Sequence, residues 1–178
     1  RDDAAGESFD KVAKMLGHKY PGGPKIEKMA VEGNSKSHKF PRSYLEKASL
    51  DFSFSGLKTS VKNYIDKLQS SNGLSDCDIA ASFQEAVVEV LSKKIIMACE
   101  QEGLSRVVVT GGVASNGALR KAVASVCSDS GYESWFPDPI FCTDNAAMIA
   151  CAGYQKFKNF PDSKADLLNM DAKASLLL

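Results

Sequence analysis

One stretch of the chain, residues 106–120, constrains the fold more than any other, because it has the pattern of a strand, a glycine turn and a helix start in succession. Three β-branched residues, Val107 to Val109, are suited to a buried strand, and two glycines then break the run. Ser115 or Asn116 follows as an N-cap for the next helix. The stretch therefore predicts a parallel α/β arrangement with a turn at the end of a central strand.

The two glycines of this turn, Gly111 and Gly112, are candidate binding residues. Without Cβ atoms they let the backbone approach a ligand closely, and the free N–H groups of the following helix favour an anion such as a phosphate. A Gly-Gly pair is also typical of an ordinary turn between a strand and a helix. The pair alone therefore leaves both interpretations open.

Helical spacing before this stretch predicts several helices. The first carries Phe9, Val12, Ala13 and Leu16 on one face, with Asp2 or Asp3 as its cap and Gly17 at its end. A rigid turn at residues 20–24 separates it from a short helix at 26–31. Further helices are expected from about Gly56 and from a cap at Ser75, Asp76 or Asp78, the latter ending at Gly103.

After the glycine turn, a helix to about residue 130 and a second strand at 132–136 complete the alternation that predicts parallel strands with helical crossovers. A last helix, 146–157, follows a cap at Thr143 or Asp144. Ligands of open α/β sheets bind at the carboxyl ends of the strands, so Asp144 is a candidate ligand for a metal or a magnesium-bound phosphate. A plain helix cap is the alternative.

Composition excludes several classes of protein. No apolar run approaches the roughly 18 residues of a membrane span, which predicts a soluble, cytoplasmic chain with no membrane partner. The five cysteines are odd in number and suggest no disulfide framework or CxxC metal site. The net charge of zero argues against bulk electrostatic binding of nucleic acid, but residues 18–68 hold ten Lys or Arg against five acids. That local excess is a solvated surface or a docking patch for RNA phosphates or an acidic partner.

Five motifs in order give the chain a resemblance to a known family. They are Asp-Asp-Ala-Ala-Gly-Glu-Ser-Phe-Asp-Lys, Tyr-Pro-Gly-Gly-Pro, Asp-Phe-Ser-Phe-Ser-Gly-Leu-Lys-Thr, Gly-Gly-Val-Ala-Ser-Asn and Phe-Cys-Thr-Asp-Asn-Ala-Ala-Met-Ile-Ala. Together they resemble the bacterial TsaD (YgjD/Gcp) family. The resemblance implies the actin/hexokinase/Hsp70-type ATPase (ASKHA) fold. It also implies transfer of a threonylcarbamoyl group from threonylcarbamoyl-AMP to N6 of adenosine 37 in tRNAs that read codons beginning with A.

The resemblance also implies site residues. Asp10 and Gly23 would bind ATP or the threonylcarbamoyl-adenylate, and Glu27 stands where several members have an aspartate near the ribose. Asn116 would close the Gly111 and Gly112 loop on the ligand. Asp144 would be a metal ligand, with Fe²⁺ or Zn²⁺ as the metal. The catalytic residue stays unknown.

The chain departs from the family pattern at the metal-binding histidines. Its two histidines, His18 and His38, do not fit the His-x-x-x-His spacing, which the family carries on an N-terminal helix. The resemblance therefore implies that residues 1–178 are the C-terminal lobe of an incomplete, helix-rich α/β protein with a small parallel sheet and an absent N-terminal lobe. Within it we expect an insertion-like region at 18–75, an αβαβα nucleotide-binding core at 76–160 and a tail at 161–178.

The expected partners follow from the same resemblance: tRNA, and the proteins TsaB and TsaE. An exposed sheet edge also predicts possible self-association. Alone, the chain is expected to hold little metal and to lack transferase activity. The alternatives are a small-molecule kinase of the same superfamily, a scaffold fragment that only binds partners, and a metallopeptidase, for which no HExxH motif is present.

Overall fold

The computed structural model describes residues 3–42, 49–68 and 73–159. The chain divides into two compact units, Arg1–Thr143 and Asp144–Leu178. The predicted tail at 161–178 and the alternative helix cap Asp2 lie outside the described residues. Among the described helices, none combines the length and apolar character that crossing a membrane requires.

Helices dominate the first unit. In chain order it contains α1 (Ala5–Met15), α2 (Gly23–Glu32), α3 (Ser55–Leu68), α4 (Asp76–Glu102), β1 (Arg106–Val108), a 3₁₀ turn (Gly112–Ser115), α5 (Gly117–Asp129), β2 (Glu133–Trp135) and a second 3₁₀ turn (Pro139–Phe141). The described part of the second unit holds α6 (Ala146–Asn159). The prediction of a helix-rich α/β chain is confirmed.

The 27-residue helix α4 is the centre of the first unit. Ser75 caps it by accepting a hydrogen bond from the Asp78 N–H, and Gly103 ends it in the left-handed conformation with φ 64°. Apolar residues spaced along α4 are buried against α1, α2 and α3: Ile79, Phe83, Ala86, Val87 and Val90. Both predicted ends of α4 are confirmed.

α1 packs on this core through the face that its spacing predicts. Phe9, Val12 and Ala13 are buried, and the Phe9 ring meets the Phe83 ring edge-on, with 5.2 Å between the ring centroids. Burying a side chain of this size contributes about 2 kcal/mol, and the edge-to-face contact adds up to about 1 kcal/mol. The core thus fixes α1 against α4.

The sheet of the described residues has two parallel strands, with Val108 of β1 opposite Trp135 of β2. Val107 and Val109 pack on α4 and α5, but the Val108 side chain is 71% exposed. The expectation that the valine run is buried on both faces is therefore wrong. Helices cover one face of the two strands, so alternate side chains point away from them.

Two predicted caps also need correction. Ala4, not Asp3, is the N-cap of α1, because the Asp3 carboxylate binds the Lys11 and Lys58 amines at 2.8 and 2.5 Å. The hydrogen bond from Lys11 is the largest cause of the lowered pKa of Asp3, and the one from Lys58 lowers it further. At α6, the cap is neither Thr143 nor Asp144. Asn145 Oδ1 accepts the Met148 N–H at 2.9 Å.

The end of α2 is in contact with the start of α4. Gly33 lies so close that a Cβ built on it would stand 2.0 Å from the Cys77 carbonyl oxygen and 2.8 Å from the Asp78 nitrogen. The Asp78 carboxylate accepts the Asn34 N–H at 2.8 Å, which is the first cause of its lowered pKa. Two backbones therefore touch here, with no room for a side chain.

Gly33→Ala tests this contact. A methyl group facing backbone atoms cannot be relieved by a rotamer change, so we expect α2 to move and the protein to lose about 3 kcal/mol of unfolding free energy. Urea denaturation measures the loss. Gly23→Ala at the other end of α2 is the control, because no described atom beyond its chain neighbours and its own helix backbone lies within 4 Å of its Cβ position. Equal midpoints for the two variants would contradict this packing.

Candidate functional site

A cavity of about 560 Å³ lies within the first unit, where segments distant in sequence come together. Its lining comes from the first turns of α1, the segment that leads into α2, the loop between β1 and α5, and Thr143. An opening of this volume accommodates a nucleotide-sized ligand.

The structure places six of the seven site residues named from the sequence around this one cavity. Asp10, Gly23, Gly111, Gly112 and Asn116 all line it. So does Glu27, which the resemblance places near a ribose. The seventh, Asp144, belongs to the second unit.

Asp10 holds the turn that leads into α2. Its Oδ1 accepts the Gly22 N–H at 2.7 Å, and a Cβ at Gly22 would come within 2.6 Å of the Asp10 Cα. The peptide bond between Tyr20 and Pro21 is cis. Gly22 thus has the packing role in this turn, while Gly23 next to it lines the cavity and has an open Cβ position, with no contact within 4 Å beyond its chain neighbours and its own helix backbone.

The loop after β1 presents backbone to the cavity. Gly111 has φ +93°, a backbone conformation that residues with side chains rarely adopt. Beyond their chain neighbours and local helix backbone, no described atom lies within 4 Å of the Cβ positions of Gly111 and Gly112. The following 3₁₀ turn is closed by the Ser115 hydroxyl, which donates to the Gly112 carbonyl at 2.6 Å. The glycines therefore leave open space where side chains would otherwise intrude.

Asn116 is the N-cap of α5, as the sequence suggests. Its Oδ1 accepts the Leu119 N–H at 2.9 Å, and its Nδ2 donates to Gln84 Oε1 of α4 at 2.8 Å. The side chain is buried with both of its polar ends engaged. Asn116 thus ties the cavity loop to the central helix.

Glu27 joins α2 to the start of α5. Its Oε1 accepts the Gly117 N–H at 2.7 Å, one of the backbone donors that a helix N-terminus leaves unpaired. A carboxylate is also favoured there by the helix dipole. The cavity wall is therefore fixed at this point by a bond between residues far apart in sequence.

Arg120, which the sequence analysis did not single out, connects two loops beside the cavity. Its Nε donates to the Ala114 carbonyl at 2.6 Å, and its Nη2 donates to the Pro137 carbonyl at 2.5 Å. The Cys142 sulfur lies 3.2 Å from the same Nη2, and the Phe136 ring centroid lies 5.0 Å from the guanidinium carbon. The planar guanidinium group carries several N–H donors in a fixed arrangement, so it can bind two carbonyl groups at once.

Sequence reasoning also missed the first residues of α1. Ala4, Ala5 and Gly6 line the cavity, and Ala4 is the N-cap of the helix. Alanine brings no side-chain acceptor, so the first N–H groups of α1 remain donors for a ligand. A run of small residues at a helix start was the available signal.

The metal expectation is not supported by a donor set in the described residues. Within 3–42, 49–68 and 73–159, no three His, Cys, Asp or Glu side chains form a group that could hold a metal ion. A zinc ion takes about four ligands, usually including His or Cys. We therefore derive no step through a metal, and the role of Asp144 as a ligand stays a prediction.

Fold and site together define an α/β chain with a ligand-sized cavity at a strand, glycine turn and helix junction. Residues 1–151 match the profile of TsaD, tRNA N6-adenosine threonylcarbamoyltransferase. The chain belongs to the TsaD family.

Curated relatives carry the same description. The tRNA N6-adenosine threonylcarbamoyltransferase of Clostridium beijerinckii is 46% identical over 100% of this chain and 52% of its own length. That of Desulfotalea psychrophila is 54% identical over 90% of this chain and 48% of its own length. The chain thus spans about half the length of the curated relatives it matches.

Solved structures show a shared fold. The full-length HypF in its phosphate- and nucleotide-bound form superposes with a TM-score of 0.64 at 19% identity, over 90% of this chain and 21% of HypF. HypF from T. kodakarensis gives 0.62 at 19% identity, over 89% of this chain and 20% of that protein. At this identity the match shows the fold alone.

Arg120→Met tests the bridge between the two loops. The change removes both charged hydrogen bonds and leaves two carbonyl groups without their donor, so we expect a loss of about 2 kcal/mol in unfolding free energy. Lys121→Met is the control, since this exposed neighbour should change stability by no more than about 0.5 kcal/mol. Denaturant midpoints measure the stability of both variants. Equal midpoints for Arg120→Met and Lys121→Met would show that the bridge does not stabilise the protein.

Proposed function

We propose that this chain supplies the nucleotide-binding part of a tRNA N6-adenosine threonylcarbamoyltransferase. The observation that carries the proposal is the convergence of Asp10, Gly23, Gly111, Gly112 and Asn116 on one cavity. Membership of the TsaD family and the shared description of the curated relatives support it.

The phosphate of the bound adenylate would lie between the glycine loop and the start of α1. Gly111 and Gly112 let the backbone come close, and the N-terminus of α1 adds N–H donors and the positive end of its dipole. Both features favour an anion at the same side of the cavity. No lysine or arginine is among the residues that line the described cavity.

The ribose would be bound by the two carboxylates of the lining. Asp10 and Glu27 each use one oxygen to hold a backbone N–H, at 2.7 Å in both cases. Each carboxylate has further lone pairs, which accept hydrogen bonds from vicinal hydroxyls. Because both groups are already fixed by the fold, they lose little freedom when a ligand binds.

In the proposed reaction, the N6 amine of adenosine attacks the carbonyl carbon of the threonylcarbamoyl group. The bond from that carbon to the adenylate oxygen breaks, AMP leaves with the electron pair, and the amine loses a proton. Donors fixed around the AMP phosphate would stabilise the charge that develops on the leaving group. The residue that accepts the proton is not assigned.

Further properties belong to this proposal through the family. The partners would be tRNA, TsaB and TsaE, in the cytoplasm, and the fold would be the ASKHA type. A divalent metal, Fe²⁺ or Zn²⁺, would bind the complete protein with Asp144 among its ligands. Self-association would use the sheet, where Val108 and Trp135 are both exposed.

Residues 1–178 alone are expected to lack transfer activity and to hold little metal. Mass spectrometry of nucleosides from an unmodified tRNA, incubated with this chain and threonylcarbamoyl-AMP, measures the first property, and elemental analysis measures the second. Formation of threonylcarbamoyladenosine, or a full equivalent of tightly bound iron or zinc, would contradict these expectations.

Calorimetric titration with AMP, ATP and a stable threonylcarbamoyl-adenylate analogue tests the nucleotide site. Gly112→Ala adds one methyl group to the cavity loop at a position where no described atom beyond the local backbone lies within 4 Å, so the fold should be kept. A phosphate held close to this backbone would be displaced, and we expect about tenfold weaker binding, or about 1.4 kcal/mol.

Gly153→Ala in α6 is the matched control, because its Cβ position is equally open and it does not line the cavity. Saturable binding that Gly112→Ala weakens and Gly153→Ala leaves unchanged supports the proposal. A chain that binds none of the three nucleotides, or a Gly112→Ala variant that binds them as well as the parent, contradicts it.

A further inference from the structure

Tyr20 is an aromatic residue in an unusual position. It lines the cavity, yet 85% of its surface is exposed, so the ring stands at the mouth. A tyrosine normally buries its apolar ring and leaves only its hydroxyl in water. The exposed ring therefore offers a flat apolar surface to a ligand that enters the cavity.

The fold holds the backbone beside this ring. Gly22, two residues on, donates to Asp10 at 2.7 Å and lies too close to α1 for any side chain. Pro21 and Pro24 restrict φ on either side of it. The turn that carries Tyr20 is thus fixed to α1 before any ligand arrives.

Three lysines lie close to Tyr20 in the sequence. Lys19 precedes it, and Lys25 and Lys28 lie one turn apart on α2; all three are exposed. The ion pairs formed by lysines of the described residues involve Lys11, Lys58 and Lys93 rather than these three. Exposed lysines beside an aromatic face are suited to the phosphates and the unpaired base of single-stranded RNA.

We propose that Tyr20 is a stacking platform for an unpaired base of the RNA substrate, with Lys19, Lys25 and Lys28 contacting the flanking phosphates. The inference rests on the proposed function and names the surface by which the substrate enters. An adenosine whose N6 is to react must leave its stacked neighbours to reach the cavity. A neighbouring base that stacks on Tyr20 compensates for part of that lost stacking.

The test measures binding of a fluorescent RNA hairpin with an adenosine in its unpaired loop, by anisotropy, together with calorimetry of AMP on the same proteins. Tyr20→Ala should weaken RNA binding about tenfold, while Tyr20→Phe, which keeps the ring, should bind like the parent. AMP affinity should be unchanged in both. Tyr154→Ala is the matched control, since it removes another exposed tyrosine, from α6.

A second experiment tests the contribution of the lysines to RNA binding. A Lys25→Gln, Lys28→Gln double variant should lower the slope of log Kd for RNA against log salt concentration by about one to two. Lys156→Gln with Lys158→Gln, both exposed on α6, should leave the slope unchanged.

The outcomes separate the platform from the nucleotide site. If the chain binds AMP but Tyr20→Ala leaves the RNA affinity unchanged, the stacking platform is overturned and the proposed function stands. If Tyr20→Ala weakens AMP and RNA binding equally, the ring belongs to the nucleotide site and the inference is overturned. If Tyr20→Phe weakens RNA binding as much as Tyr20→Ala, the hydroxyl causes the effect and the inference is also overturned. Failure of the parent chain to bind the hairpin also overturns it, whereas failure to bind AMP counts against the proposed function.

Discussion

Burial of α4 on several sides is the constraint on which the first unit depends. Helices α1, α2 and α3 cover part of its surface, and α5 with β1 covers another part. Three of the four buried polar side chains of α4 fix surrounding loops: Ser82 accepts the His38 N–H, Gln84 binds Asn116, and Lys94 donates to the Ser49 carbonyl. Buried polar groups need such partners, so each of these loops has one preferred position. The hydrogen bond between Gln84 and Asn116 thus fixes the cavity loop relative to α4.

Elements determined by local spacing could be predicted from the sequence. The apolar periodicity of α1 and α4, the cap at Ser75 and the end at Gly103 are properties of neighbouring residues, and the structure confirms them. The exposed Val108 could not be predicted, because its burial depends on which faces of the sheet are covered. The Asp3 cap failed for a similar reason: Lys58, distant in sequence, competes for the carboxylate.

The candidate site shows the same division. Motifs predict Asp10, Gly23 and the glycine loop as site residues, and the structure gathers them around one cavity. The contacts that hold the cavity walls join distant residues, as in the bonds from Gly117 to Glu27 and from Arg120 to Pro137. Neither pairing has a periodic signature, since a helical pattern says which side faces inward and not which polar groups meet there.

The most direct test of this account is an NMR titration of the ¹⁵N-labelled chain with AMP, observed at the glycine amides. If the cavity binds the nucleotide, Gly23, Gly111 and Gly112 should shift in a saturable way, while Gly103 and Gly131, which do not line the cavity, should stay in place. Saturable shifts confined to the latter two, or no shifts at any AMP concentration, would contradict the claim that these three segments form a nucleotide site.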